Sequence, residues 1–162
     1  MVIYIDKQEK QELDFSGYSD LIVTSPKALK YGDYKAEFQP SGYSPPFVFE
    51  RKSHADLYGT LTNRTRIGRF KREIGRAKKD GVTLILIVEA PVRKIKRGYY
   101  YQKNGERVKG KVGGQQIMNT VSTLFTKYGL IPIFCENRDE MVWWIVTIFS
   151  SLGRKYVKEG KK

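Results

Sequence analysis

Residues 47–56 read FVFERKSHAD. The stretch opens as a β-strand, because Phe47, Val48 and Phe49 are apolar and favour extended backbone. It closes as a helix start, because Ser53 with Asp56 three residues on has the spacing of a capping box. Between them stand Glu50, Arg51 and Lys52, three charges where a buried strand is expected to stay apolar.

Upstream the pattern is that of strands. Residues 2–6 (VIYID) and 21–24 (LIVT) read as two, and 29–38 as a longer alternating one with Gly32 as a bulge. SGYSPP at 41–46 is a turn by composition. The connections are short, so a meander is expected. Downstream the period changes. Ala55, Leu57, Tyr58 and Leu61 suit a short helix, which TNRT breaks. Ile67, Phe70, Ile74 and Ala77 then repeat at helical spacing, among Arg66, Arg69, Lys71, Arg72 and Arg76. Asp80-Gly81 ends that helix. TLILIVE at 83–89 is a continuous apolar run, expected to be a central strand covered on both faces. A helix over 116–128 capped by Gly129, a strand over 130–135 and a helix over 139–156 follow. Strands followed by strand–helix alternation predict an α/β sandwich with a mixed central sheet. It forms a single domain over residues 1–157, with a frayed basic tail at 158–162. Residues 91–112 stand apart as basic and polar, with three tyrosines at 99–101. They read as a long loop or mobile hairpin, and such connections are often functional. The tyrosines either stack on bases or pack under their own loop.

Charge is the most informative total. The 162 residues carry 30 Lys and Arg against 17 Asp and Glu, a net +13, and the pI is near 9.8. That makes nucleic acid the leading partner, ahead of an anionic membrane surface or no acidic partner at all. The one cysteine, Cys135, lies in an apolar run and can form no disulfide within the chain. It reads as a small buried hydrophobe in a reducing compartment. The N-terminus lacks the basic start and apolar run of a signal peptide, and no stretch is long and apolar enough to span a membrane. An intracellular protein is expected.

The charged strand end can carry chemistry. Residues i and i+2 of a strand share a face, so Glu50 and Lys52 point one way and Arg51 the other. If the strand containing Asp33 pairs with it, Asp33, Glu50 and Lys52 converge. Two carboxylates make a hard-oxygen site suited to Mg²⁺ or Mn²⁺. A metal there would bind a phosphate oxygen and acidify a bound water. Lys52 would orient the nucleophile and offset developing charge. This is a minimal set for metal-dependent phosphodiester hydrolysis, although a surface ion-pair cluster fits the same triplet.

The wider context narrows the choice. GDY at 32–34 followed by FVFERKSHADL at 47–57 resembles the XPF-type nuclease domain of the XPF, Mus and archaeal Hef proteins. The signature of that family is GD, a variable stretch and ERK-x-x-x-D. Gly32, Asp33, Glu50, Arg51, Lys52 and Asp56 fill its fixed positions. IDKQE at 5–9, LTNRTRIGRFKREI at 61–74, ILIVE at 85–89, residues 129–134 and the last helix extend the likeness over nearly the whole chain. The resemblance implies a restriction-endonuclease-like fold and a divalent-metal DNA endonuclease acting on flaps, forks and nicked junctions. It implies Asp33 and Glu50 as metal ligands and Lys52 as catalytic, with Arg51 and Asp56 in support and Asp6 at the rim. Three departures stand out. Gln8 replaces the usual Arg, residues 91–112 have no counterpart, and a nuclease domain without the helix-hairpin-helix module is expected. The rival readings are an inactive DNA-binding or dimerisation module of the same fold, and an RNA-binding protein.

Other residues have local readings. Asp56 is a cap, a site support, or both. Arg51 pairs with an acid behind the sheet, His54 is a solvated helix-start residue, and Glu73 pairs with Arg69 at i+4. Arg64, Arg66, Arg69 and Lys71 are expected to touch DNA phosphates. The last helix is apolar on two faces. One carries Met141, Ile145, Ile148 and Leu152, and the other Val142, Trp143, Val146 and Phe149. The second set is expected to form a homodimer interface, and the family resemblance also implies dimerisation.

Overall fold

The structure is a computed structural model that describes residues 1–158. Among the described residues, eight strands and five α-helices follow one another. They are β1 (Val2–Asp6), β2 (Val23–Lys27), β3 (Tyr34–Glu37), β4 (Phe47–Ser53), α1 (His54–Thr62), α2 (Arg64–Lys79), β5 (Thr83–Glu89), α3 (Val92–Arg97), β6 (Tyr100–Lys103), β7 (Glu106–Lys109), α4 (Gly114–Thr123), β8 (Ile131–Phe134) and α5 (Arg138–Lys158). Six strands form one mixed sheet in the order β2-β1-β3-β4-β5-β8. The front half is not a meander. β2 runs parallel to β1 and lies at the sheet edge, while β3 returns antiparallel between β1 and β4. The parallel β1–β2 pair requires a crossover, which residues 7–22 supply with a single 3₁₀ turn at Ser16–Tyr18.

Strand alternation sorts the core into two layers. Val48, Leu84, Leu86 and Val88 face a cluster with Leu57, Leu61, Phe70, Ile74, Ile117 and Val121 from α1, α2 and α4. Ile3, Ile5, Tyr34, Phe49, Ile85 and Ile87 face the other way, onto Met141, Val142, Ile145, Val146 and Phe149 of α5. The mixed sheet is therefore covered on both faces, as TLILIVE requires, although β5 lies between β4 and the edge strand β8 rather than at the centre. Cys135 is fully buried, and burial pushes its thiol up to about 12.

The α5 stripe corrects the two-face reading. Val142, Val146 and Phe149 are all inside one subunit, and the Phe149 ring meets Phe49 edge-on at 5.1 Å. The buried positions 141, 142, 145, 146 and 149 form one stripe wide enough to span the sheet. Of the four expected interface residues only Trp143 stands in solvent, 49% exposed and edge-to-face with Trp144. The expected tail lies, from residue 159 onward, outside the described residues. Among the described residues no helix is long and apolar enough to cross a membrane.

Candidate active site at the end of the sheet

The Gly32-Asp33 pair owes its shape to one close approach. Gly32 has φ of +63°, and a Cβ there would lie 2.7 Å from the Phe49 carbonyl oxygen. Any side chain would be both strained and obstructed. Gly32 thus turns the chain rather than bulging a strand. β3 starts two residues later, and the Asp33 amide donates to the Phe49 carbonyl at 2.6 Å. The Arg51 amide in turn donates to Asp33 Oδ2 at 2.7 Å. With Tyr34 paired to Phe49, these bonds set Asp33 opposite Glu50, on the sheet face covered by α1 and α2.

Like charges directly across a ladder repel. Burial and the Glu50 carboxylate together raise Asp33 to about 8. Lys52 Nζ donates to Glu50 Oε1 at 2.8 Å and lies 5.0 Å from the centre of the Phe70 ring. The side chains of both Glu50 and Lys52 are largely shielded, at 15% and 13% exposure. One ammonium therefore faces two half-buried carboxylates, a local deficit of positive charge.

Arg51 points through to the opposite face, as alternation demands. It is 8% exposed and ion-paired to Glu9 and Glu89, each at 3.2 Å. Its Nη2 also donates to Gln11 Oε1. Removing one partner of such a buried network costs about 3–5 kcal/mol, so Arg51 holds β4 to β5 and to the segment after β1. Asp6 lies at the rim, where its carboxylate accepts from the Gln8 and Leu29 amides at 2.8 and 2.7 Å. It ties two loops together. Ser53 caps α1: its Oγ accepts from the Asp56 amide and donates to Asp56 Oδ2. Asp56 also lines the cleft.

The cleft has a volume of about 650 Å³, and Asp33, Glu50, Lys52, Arg66, Glu73 and Arg76 are among its walls. Glu73 is a correction. Among the described residues it makes no ion pair with Arg69. It is half-buried and faces the Gly32 amide, Glu50 and Lys52, and burial with Glu50 nearby raises its carboxyl. Arg66, Glu73 and Arg76 lie within one stripe of α2, which Asn63 caps by accepting from the Thr65 and Arg66 amides. Spacing along α2 could have grouped these three residues. Which stripe faces the cleft is decided by the burial of Phe70, Ile74 and Ala77 behind it. Arg64, Arg66 and Arg69 are exposed, but Lys71 lies on the far flank, 5.7 Å from the centre of the Tyr128 ring.

A divalent cation fits this donor set. Asp33 and Glu50 supply hard oxygens, and their mutual repulsion is what a cation would relieve. Among the described residues no three His, Cys, Asp or Glu converge as a metal cage. Two carboxylates, with water and a phosphate completing the shell, suit Mg²⁺, which keeps several waters.

A mixed sheet between helical layers, with a carboxylate pair and a lysine at one strand end, is a restriction-endonuclease-like nuclease fold. The ERCC4 domain model matches residues 5–148, and the chain belongs to that family. Among the solved structures that share the fold are two at 19% identity. XPF from Aeropyrum pernix superposes with a TM-score of 0.67 over 99% of this chain and 69% of its own. The same XPF in complex with DNA gives 0.61, over 98% of this chain and 66% of its own. No curated protein matches the sequence.

Proposed function

We propose that the chain is a divalent-metal-dependent DNA endonuclease that hydrolyses phosphodiester bonds, with branched DNA (flap, fork or junction) as its substrate in repair, recombination or replication. The observation that carries this reading is the Asp33–Glu50 pair facing Lys52 inside a cleft that Arg66 and Arg76 also line. Family membership and the DNA complex of the related XPF support it. Asp33 and Glu50 would hold Mg²⁺ or Mn²⁺. When bound, such an ion supplies charge for the phosphate oxygens and acidifies water. Lys52, shielded and already hydrogen-bonded to Glu50, offsets charge that develops at the scissile phosphate. Arg66 and Arg76 on the α2 wall face the incoming backbone. Glu73 sits where it can accept a proton from water at that wall.

An inactive module of the same fold is disfavoured, because both acids and the lysine are present and assembled. A homodimer remains part of the proposal, now resting on Trp143 and the half-buried Trp144 rather than on residues inside α5. The direct test incubates the chain with end-labelled flap, fork, nicked-junction and blunt DNA, and with RNA, in Mg²⁺, in Mn²⁺ and in EDTA. Metal-dependent cuts near the branch are expected. Binding without cleavage in either metal would leave only a binding module.

A further inference from the structure

The segment after β5 carries charge that the cleft does not use. Between residues 92 and 111 there are eight Lys or Arg and one Glu, a net +7 of the chain's +13. The segment is an ordered arm. α3 leads into a hairpin in which Tyr100 pairs with Lys109 and Lys103 with Glu106. The turn is Asn104-Gly105, both with positive φ (52° and 80°), as a two-residue primed turn requires. The root is fixed. Ile95 is fully buried, and its carbonyl accepts from Tyr58 Oη at 2.9 Å. Tyr99 packs beneath the arm, with its ring 5.4 Å from those of both Tyr58 and His54. His54 is therefore not the solvated helix-start residue expected from sequence. It is half-buried, and its Nε2 is enclosed with no hydrogen-bond partner among the described residues.

We propose that the root of this arm holds a backbone phosphate of bound DNA, in a pocket outside the cleft where Lys94, Arg97 and Lys109 meet; this rests on reading the chain as a DNA nuclease. A pocket of about 170 Å³ lies there, lined by His54, Lys94, Arg97, Gly98 and Tyr100. Gly98 has φ of +92°, and Lys109 Cε stands 3.4 Å from where a Cβ on Gly98 would be. The hairpin thus brings a third cation over the same spot. All three cations are exposed, and none has an ion pair among the described residues, whereas their neighbour Arg93 is taken up by Glu136. Among the described residues no carboxylate lines the pocket. Like charges repel, so three cations gathered around a cavity without an acid leave a field that an anion would relieve. That field reaches the pocket wall: desolvation and then the Lys94 ammonium lower the pKa of His54. A phosphate oxygen is a strong acceptor for lysine and arginine donors. The pocket has the volume of about five waters, enough for one phosphate group. His54, the first residue of α1, lines the pocket, and Asp56, two residues on, lines the cleft. Pocket and cleft share one helical turn, which favours a single polyanion over a separate small anion as the occupant.

The test measures fluorescence anisotropy of the full chain on blunt duplex DNA over a series of salt concentrations, in EDTA to prevent cleavage. The Lys94→Gln/Arg97→Gln/Lys109→Gln variant should flatten the log–log salt dependence by about 0.9 for each phosphate that the pocket no longer neutralises. Lys27→Gln/Lys103→Gln/Lys127→Gln removes the same charge from exposed positions that do not line the pocket. It should leave the slope as in the wild type. No flattening by the pocket variant, or as much by the control, would overturn the proposal. The duplex is used with and without 5′-phosphates; an effect confined to phosphorylated ends would assign the pocket to a strand terminus and overturn the backbone reading. His54 is the only histidine of the chain, so its imidazole gives a single NMR titration. Duplex should raise its pKa in the wild type, as phosphate offsets Lys94, and raise it less in the pocket variant. An equal rise in both would also overturn the proposal. A chain that needs the pocket to bind duplex yet cuts nothing in Mg²⁺ would retain the pocket and lose the nuclease reading.

Discussion

Asp33 and Glu50 face each other because Gly32 lets the chain approach Phe49 closely, so the geometry that builds the site also charges it unfavourably. Asp33 sits well above its ordinary value, at about 8, from burial first and Glu50 second. A carboxyl raised on folding stabilises the fold fully below its unfolded pKa. That contribution is lost as pH rises through the folded value, so in EDTA the melting temperature should fall as pH rises from about 4 towards 8. Raised Glu73 acts in the same direction. Asp33→Asn should flatten the decline. Mg²⁺, which competes with the proton, should raise the melting temperature more at pH 8 than at pH 5. Equal stabilisation of Asp33→Asn by Mg²⁺ would remove Asp33 from the metal site. The convergence of Asp33, Glu50 and Lys52 was legible, since a strand period of two and one turn determine it. Glu73 was not. Its i+4 spacing to Arg69 is real, but the choice between neighbour and cleft depends on which side of α2 the sheet covers.

At the scale of elements, α5 shows where counting apolar faces goes astray. A helix against a broad sheet can bury a stripe that includes adjacent positions, and Val142 and Val146 lie there with Met141 and Ile145. Val146→Glu, at a position expected from sequence to lie in a homodimer interface, should instead bury a charge without a partner. The cost is roughly 3 kcal/mol or more, or about 10 °C of melting temperature for a domain of this size. Trp143→Glu, on the exposed side, should change stability by no more than about 0.5 kcal/mol. If it leaves sedimentation unchanged from a wild-type dimer, Trp143 is not at the interface. A folded, stable Val146→Glu protein would contradict the α5 packing. The arm was half legible. Asn104-Gly105 between YYYQK and ERVK is a hairpin signal, but the preceding basic run hid a helix whose only buried residue is Ile95.

At the scale of the molecule, short connections suggested a meander, yet β2 pairs parallel with β1 at the edge and β3 follows on the other side of β1. Nothing in residues 7–22 marks the crossover, which has one 3₁₀ turn in place of a helix. The two-layer core and the location of the site were nonetheless implied by FVFERKSHAD. Phe49 faces α5, Val48 faces the α1–α2 layer, and the charges follow where the helices leave a cleft. The central claim is that this cleft performs metal-dependent hydrolysis through its two carboxylates. Single-turnover cleavage of a labelled DNA flap in Mg²⁺ by Glu50→Gln, beside the wild type, tests it most directly. Substitution by Gln keeps the shape and removes one charged ligand. The account predicts that the rate falls by about a hundredfold or more, while flap binding stays intact. Wild-type cleavage by Glu50→Gln would contradict it.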